Sequence, residues 1–190
     1  MKDSSEIIKI AKSVIDIESQ AINELRDKIN NNFADAVALI LESKGRLILC
    51  AVGKSANIAN KLVATFNSTG QPAVFLHAAD ALHGDLGNVQ DQDIIICISK
   101  SGNTEEIKAI IPLIKKMENS IIAITGNMDS YLALQSDICL DASIHNLFNY
   151  ISIRSALSII CSLFITVYFG KTIINFLSNS ASSIPLPAAT

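Results

Sequence analysis

The chain has 190 residues, 49% of them hydrophobic, with 15 Lys and Arg against 18 Asp and Glu for a formal net charge of −3. That length fits one globular domain able to bury its own core without disulfides or a structural metal, and the charge offers no basic field for nucleic acid or an anionic membrane surface. Charged residues at 17% and a mean hydropathy of +0.38 exclude disorder over most of the chain.

The start, MKDSSEIIKIAKSVIDIESQ, carries charges throughout its first turns and has no small-residue cleavage site, so it does not read as a signal peptide. Ile7, Ile10, Val14, Ile17, Ala21 and Leu25 recur at spacings of three and four, which predicts a long amphipathic helix. Asn30, Asn31 and Asn32 interrupt it, and Phe33, Val37, Ile40 and Leu41 predict a second helix ending near Gly45. Residues 1–44 are thus expected to form a helical segment packing on the core.

From Arg46 the period changes. RLILCAV, AVFL, DIIICIS, SIIAIT and SDICLD are short apolar runs rich in β-branched residues. Continuous apolar strands separated by helices predict a parallel sheet covered on both faces, a doubly wound α/β fold. The helices between them are expected at Ser55–Asn67, Thr104–Glu118 and Ser130–Gln135, with a last one at Ser155–Phe176. The four cysteines, Cys50, Cys97, Cys139 and Cys161, form no Cys-x-x-Cys pair and read as buried, reduced thiols of a cytoplasmic protein. The uncharged stretch Ser155–Gly170 is shorter than the ~20 residues of a spanning helix. Its stripe of Ser158, Ser162 and Thr166 points to close packing on a sheet or a sister subunit. Residues 178–190, SNSASSIPLPAAT, read as a disordered tail.

In such a fold ligands bind outside the carboxyl ends of the strands. AVGKSANI follows the first strand: Gly53 permits a tight turn, Lys54 supplies a cation, and Ser55 can cap the next helix while facing an anion. A nucleotide P-loop needs a glycine five positions before Gly53, where Ile48 stands. The competing reading is an ordinary turn with a solvated lysine. CISKSGNTEEI, after the third strand, offers Ser99, Ser101, Gly102 and Thr104. Hydroxyls beside helix-start amides suit a phosphate monoester. The plainer alternative is a capped turn, with Thr104 as N-cap and Glu106 in the favourable first turn. Between these turns HAADALHGDLGNV holds His77 and His83 with Asp80 and Asp85. No close third ligand makes it a metal site, so His83 is expected as an acid or base on a loop ordered by Gly84 and Gly87. His145 is expected to make a structural hydrogen bond.

AVGKSANIANKLVATFNSTG, HAADALHGDLGNV and ISKSGNTEEI, in this order, resemble the sugar isomerase (SIS) domain, and the HGDLG loop resembles its arabinose-5-phosphate isomerase branch. The likeness runs from about Gly45 to Asp141. It implies a five-stranded flavodoxin-like parallel sheet over 45–177, a homotetramer with sites shared between subunits, no cofactor and no metal. It further implies a sugar phosphate as the small-molecule partner, in lipopolysaccharide or capsule biosynthesis. By matching position, Ser99, Ser101, Gly102 and Thr104 would hold the phosphate with Ser55 nearby. Lys54, Glu106 and His83 would face the sugar, Glu106 as base, Lys54 as electrostatic partner and His83 as proton shuttle. Three departures stand beside this. In the segment DASIHNLFNYISIRSALS Leu147 lies near the position of a usual loop glutamate and there is no proline, no histidine follows His145, and Ala51 stands where a glycine is usual. The regulatory cystathionine-β-synthase-type modules common in the family have no counterpart, which reads as a stand-alone form. The expectations are therefore an aldose–ketose isomerase of D-arabinose 5-phosphate, a non-catalytic phosphosugar-binding module, or an isomerase of a hexulose or amino-sugar phosphate.

Overall fold

The computed structural model describes residues 3–143. Leu147, His145, Cys161 and the segments expected as a last helix with a serine stripe and as a disordered tail lie outside the described residues. The elements in chain order are α1 (Ser4–Arg26), α2 (Asn31–Glu42), β1 (Leu47–Ala51), α3 (Lys54–Ser68) and β2 (Ala73–His77). There follow α4 (Ala78–Ala81), a 3-10 turn (Asp85–Asn88), β3 (Ile94–Ser99), α5 (Glu105–Lys116), β4 (Ile121–Thr125), α6 (Tyr131–Gln135) and β5 (Ile138–Asp141).

The five strands form one parallel sheet in the order β2-β1-β3-β4-β5. Successive side chains of a strand point to opposite faces, so each apolar run feeds two cores. Leu47, Leu49, Ile94, Ile96, Ile98, Ile122 and Ile124 meet the buried faces of α2 and α3 and the end of α1. Ile48, Cys50, Ile95, Cys97, Ile121 and Ala123 meet α4, α5 and α6. Burial on both sides is why the strands read as unbroken Ile/Leu runs rather than as alternating ones.

At the amino end of the sheet the buried Asp93 carboxylate accepts from the Arg46 backbone N–H (2.9 Å), Arg46 Nη2 (2.7 Å) and the Gln90 N–H (2.9 Å). Burial pushes this carboxyl up, but the hydrogen bonds from Arg46 and Gln90 outweigh it and hold it below the usual carboxylate range. Gly45 approaches this corner so closely that a Cβ on it would lie 1.9 Å from the Gln92 carbonyl oxygen.

One expectation, burial of every cysteine, is corrected at Cys139. The apolar face of α1 is buried only at Ala21 and Leu25, while Ile7, Ile8, Ile10, Val14, Ile15 and Ile22 are exposed; periodicity marks a face as apolar without saying what covers it. Cys50 and Cys97 are buried side by side in register, whereas Cys139 is only half-buried because β5 is the edge strand. Burial, with the Asp141 charge nearby, pushes the Cys139 thiol up to about 11. No helix among the described residues is long and apolar enough to cross a membrane.

Candidate functional site

From β1 the chain goes to β2 on one side and then crosses back to β3 on the other, so the topological switch point lies between β1 and β3. The crevice expected there is bordered by the two motif-bearing turns. Ala51 lies opposite Ile98 and Ser99 opposite Thr125, which makes the turns after β1, β3 and β4 leave the sheet side by side.

After β1, Gly53 adopts φ 59 and ψ −129 with nothing within 4 Å of where a Cβ would stand. The turn therefore requires glycine for its backbone conformation, not for space. α3 begins at Lys54 with Gly53 as N-cap and no side-chain cap bond. Ser55 is consequently inside the helix and half-buried, and the expected Ser55 cap is not formed. Lys54 is exposed in the first turn.

After β3 the serine-rich turn folds on itself. The Gly102 N–H donates to Ser99 Oγ (3.1 Å) and the Asn103 N–H to Ser101 Oγ (3.3 Å). Ser99 is only 3% exposed, so its hydroxyl lies under the rim; Ser101 is exposed. Gly102 has φ +63 and sits against α6, where a Cβ would lie 2.0 Å from Ser130 Oγ. Thr104 occupies the N-cap position of α5 with φ −65 and ψ 143, yet makes no side-chain cap bond. Its buried Oγ1 has no hydrogen-bond partner among the described residues, which corrects the capped-turn reading.

An unpaired buried hydroxyl costs free energy, and so do unsatisfied helix-start amides. Side chains of Asp3, Asn30 and Ser130 cap α1, α2 and α6. The two long helices at the switch point, α3 with 15 residues and α5 with 12, have no such cap. Their positive dipole ends thus meet the crevice without a side-chain oxygen over them, which favours an anion there.

Glu106 lies in the first turn of α5, half-buried, and its carboxylate forms no ion pair or hydrogen bond among the described residues. Its neighbour Glu105 is exposed and pairs with Lys108 (3.2 Å). His83 is exposed on the loop between α4 and the 3-10 turn, with its backbone N–H bonded to the Asp80 carbonyl (2.9 Å). α4 packs on α5 and so brings this loop to the same end of the sheet. His77 Nδ1 is buried without a hydrogen-bond partner among the described residues, 3.6 Å from Asp80 Oδ2. Among the described residues no three His, Cys, Asp or Glu side chains group as a metal site would.

The structure thus gathers Lys54, Ser55, Ser101, Gly102, Thr104 and Glu106 on neighbouring turns, with Ser99 beneath them and His83 on a separate loop. Sequence reasoning missed Asn103, whose Oδ1 accepts from the Tyr131 N–H (2.9 Å). It also missed Lys28, which pairs with Asp141 (3.5 Å) and bonds Ser143 just past β5. An Asx residue beside a glycine was the available signal for Asn103; nothing local marks Lys28.

Residues 40–167 match the family model of the SIS domain. The arabinose 5-phosphate isomerase KdsD of Pseudomonas aeruginosa is 38% identical over 144 residues, 76% of this chain and 44% of that protein. Its namesake from Escherichia coli K12 is 43% identical over 127 residues, 67% of this chain and 39% of that protein. The chain therefore spans about two fifths of the length of these curated relatives. Among solved structures, the c3406 protein of Escherichia coli CFT073 in complex with arabinose 5-phosphate superimposes with a TM-score of 0.83 at 33% identity, over 90% of this chain and 94% of that one. The Vibrio vulnificus NanR protein complexed with ManNAc-6P shares the fold, with a TM-score of 0.70 at 17% identity over 96% of this chain and 74% of that one.

Proposed function

The chain belongs to the SIS domain family, and from that premise we propose that it interconverts D-arabinose 5-phosphate and D-ribulose 5-phosphate through an enediolate. The observation that carries the reading is the switch-point crevice itself. Two uncapped helix starts and the unpartnered Thr104 hydroxyl form an anion cradle, and the unpaired Glu106 carboxylate stands within one turn of it.

In this mechanism the phosphate sits on the α5 amides, Ser101 and Thr104, with Ser55 at its edge and Ser99 and Gly102 shaping the turn. Binding the phosphate at a fixed point holds the open-chain sugar so that its C2–H faces a base. Glu106 takes that proton, the C1=C2 double bond forms, and the aldehyde oxygen becomes the enediolate oxygen, stabilised by Lys54. The proton returns to C1 while His83 carries another from O2 to O1, which leaves the ketone at C2. Atoms and charge balance without a cofactor or metal. The similarity to KdsD proteins and to the c3406 protein supports this substrate. We place the protein in the cytoplasm, in lipopolysaccharide or capsule biosynthesis. It acts there as a homotetramer with shared sites, and the exposed isoleucines of α1 supply an apolar face between copies.

The test is an NMR time course with D-arabinose 5-phosphate in deuterated buffer. Ketose formation with solvent deuterium at C1, lost in Glu106→Gln, is the expected result. Full turnover in Glu106→Gln removes that base. No turnover by the parent, with ligand-induced stabilisation that Ser101→Ala abolishes, makes the domain a phosphosugar-binding module or an enzyme for another sugar.

A further inference from the structure

We propose that Asn103 is a positioning residue that holds the serine-rich turn in its phosphate-binding shape through α6, a role that rests on reading that turn as a phosphate site. α6 has five residues, too few to stand without packing and caps. Its first three N–H groups need acceptors. Tyr131 donates to Asn103 Oδ1 (2.9 Å), Leu132 to the Gly102 carbonyl (3.0 Å) and Ala133 to Ser130 Oγ (3.3 Å). Two of the three acceptors thus come from the turn after β3.

The dependence runs the other way as well. The turn keeps Gly102 at φ +63 pressed on Ser130, and the Asn103 N–H closes the Ser101 bond (3.3 Å). Because Tyr131 presents a donor, the Asn103 amide is oriented with Oδ1 toward α6 and Nδ2 away from it. The next residue is Thr104, whose unpartnered hydroxyl and helix-start position set the cradle. A change in the Asn103 backbone moves that hydroxyl and the first α5 amides together. Geometry of this kind acts first on binding, because Ser101, Thr104 and the first α5 amides are the groups assigned to the phosphate.

The experiment compares the parent with Asn103→Ala, Asn103→Asp and a remote core variant, Ile40→Val. It reads melting temperature, affinity for inorganic phosphate, KM and kcat. Asn103→Ala is expected to raise the phosphate Kd and the KM together by about tenfold, the size of one misaligned charge-assisted hydrogen bond, with kcat within twofold. Asn103→Asp, which keeps an oxygen facing Tyr131, is expected to melt with the parent, and Ile40→Val to keep the parent's phosphate affinity. Three results overturn the role: Asn103→Ala melting lower with unchanged phosphate Kd and KM, Asn103→Asp melting as low as Asn103→Ala, or Ile40→Val losing equal affinity. A parent that binds phosphate without turnover overturns the proposed reaction alone, leaving the role to be judged on phosphate affinity. A parent that binds no phosphate overturns both.

Discussion

Replacing Thr104 with valine separates folding from binding at the crevice. The two side chains have the same branched shape, and Thr104 makes no side-chain cap bond that valine would lose. What disappears is a buried hydroxyl without a hydrogen-bond partner. An unsatisfied buried polar group costs about 1–3 kcal/mol, so Thr104→Val is expected to stabilise the free protein by about 1–2 kcal/mol. At this chain length that corresponds to a rise in Tm of roughly 2–8 °C. Loss of a hydrogen bond to a charged group costs about 1.5–3 kcal/mol, so affinity for inorganic phosphate or the sugar phosphate is expected to fall roughly 10- to 100-fold. Urea unfolding followed by circular dichroism, at matched protein concentration because association shifts the midpoint, reads the first effect. Titration calorimetry reads the second. A variant that is destabilised and binds phosphate like the parent would refute the argument, since its hydroxyl would then serve the fold and not the ligand.

Gly102→Ala places a methyl 2.0 Å from Ser130 Oγ at a backbone with φ +63; overpacking and left-handed strain together are expected to cost about 2–5 kcal/mol by chemical denaturation. Gly102→Ala combined with Ser130→Gly should recover the overpacking share, and no recovery would show that Ser130 is not what the methyl meets. Asp93→Asn breaks the buried pair with Arg46 and is expected to cost about 3 kcal/mol at pH 7. Because the folded Asp93 carboxyl is held below its ordinary value, that stability is present above the unfolded pKa of about 3.9 and is lost as pH falls through the lower folded value. The stability gap between parent and Asp93→Asn should therefore close as pH drops below about 4, and a gap unchanged at pH 3 contradicts it. With its thiol pushed up to about 11, Cys139 is expected to alkylate slowly at pH 8 and about tenfold faster per pH unit up to pH 10. Peptide mass spectrometry after iodoacetamide treatment checks this, and rapid labelling at pH 8 counts against it.

The strands were legible because burial on both faces leaves a local mark: DIIICIS and SIIAIT have little choice but to be central strands. Their observed ends fall within two residues of expectation. The helix starts were less legible. A serine after a glycine and a threonine before two glutamates look like caps, and a cap depends on where the helix begins and which way a hydroxyl turns. At Gly53 the positive φ moved the start of α3 to Lys54. At Thr104 the side chain turned inward without bonding an amide.

Residue order alone determined the parallel doubly wound sheet and the two turns that carry the candidate chemistry, because strand propensity, apolar runs and glycine placement act over a few neighbouring residues. Tertiary structure decided which strands adjoin, and hence that the turns of β1 and β3 share a crevice. It also decided that Ser99 lies beneath the rim, that Asn103 reaches Tyr131 across 28 positions, and that Lys28 reaches Ser143 across 115 positions. Those contacts depend on how layers pack in space, and no local pattern of residues encodes the distance between segments so far apart in the chain.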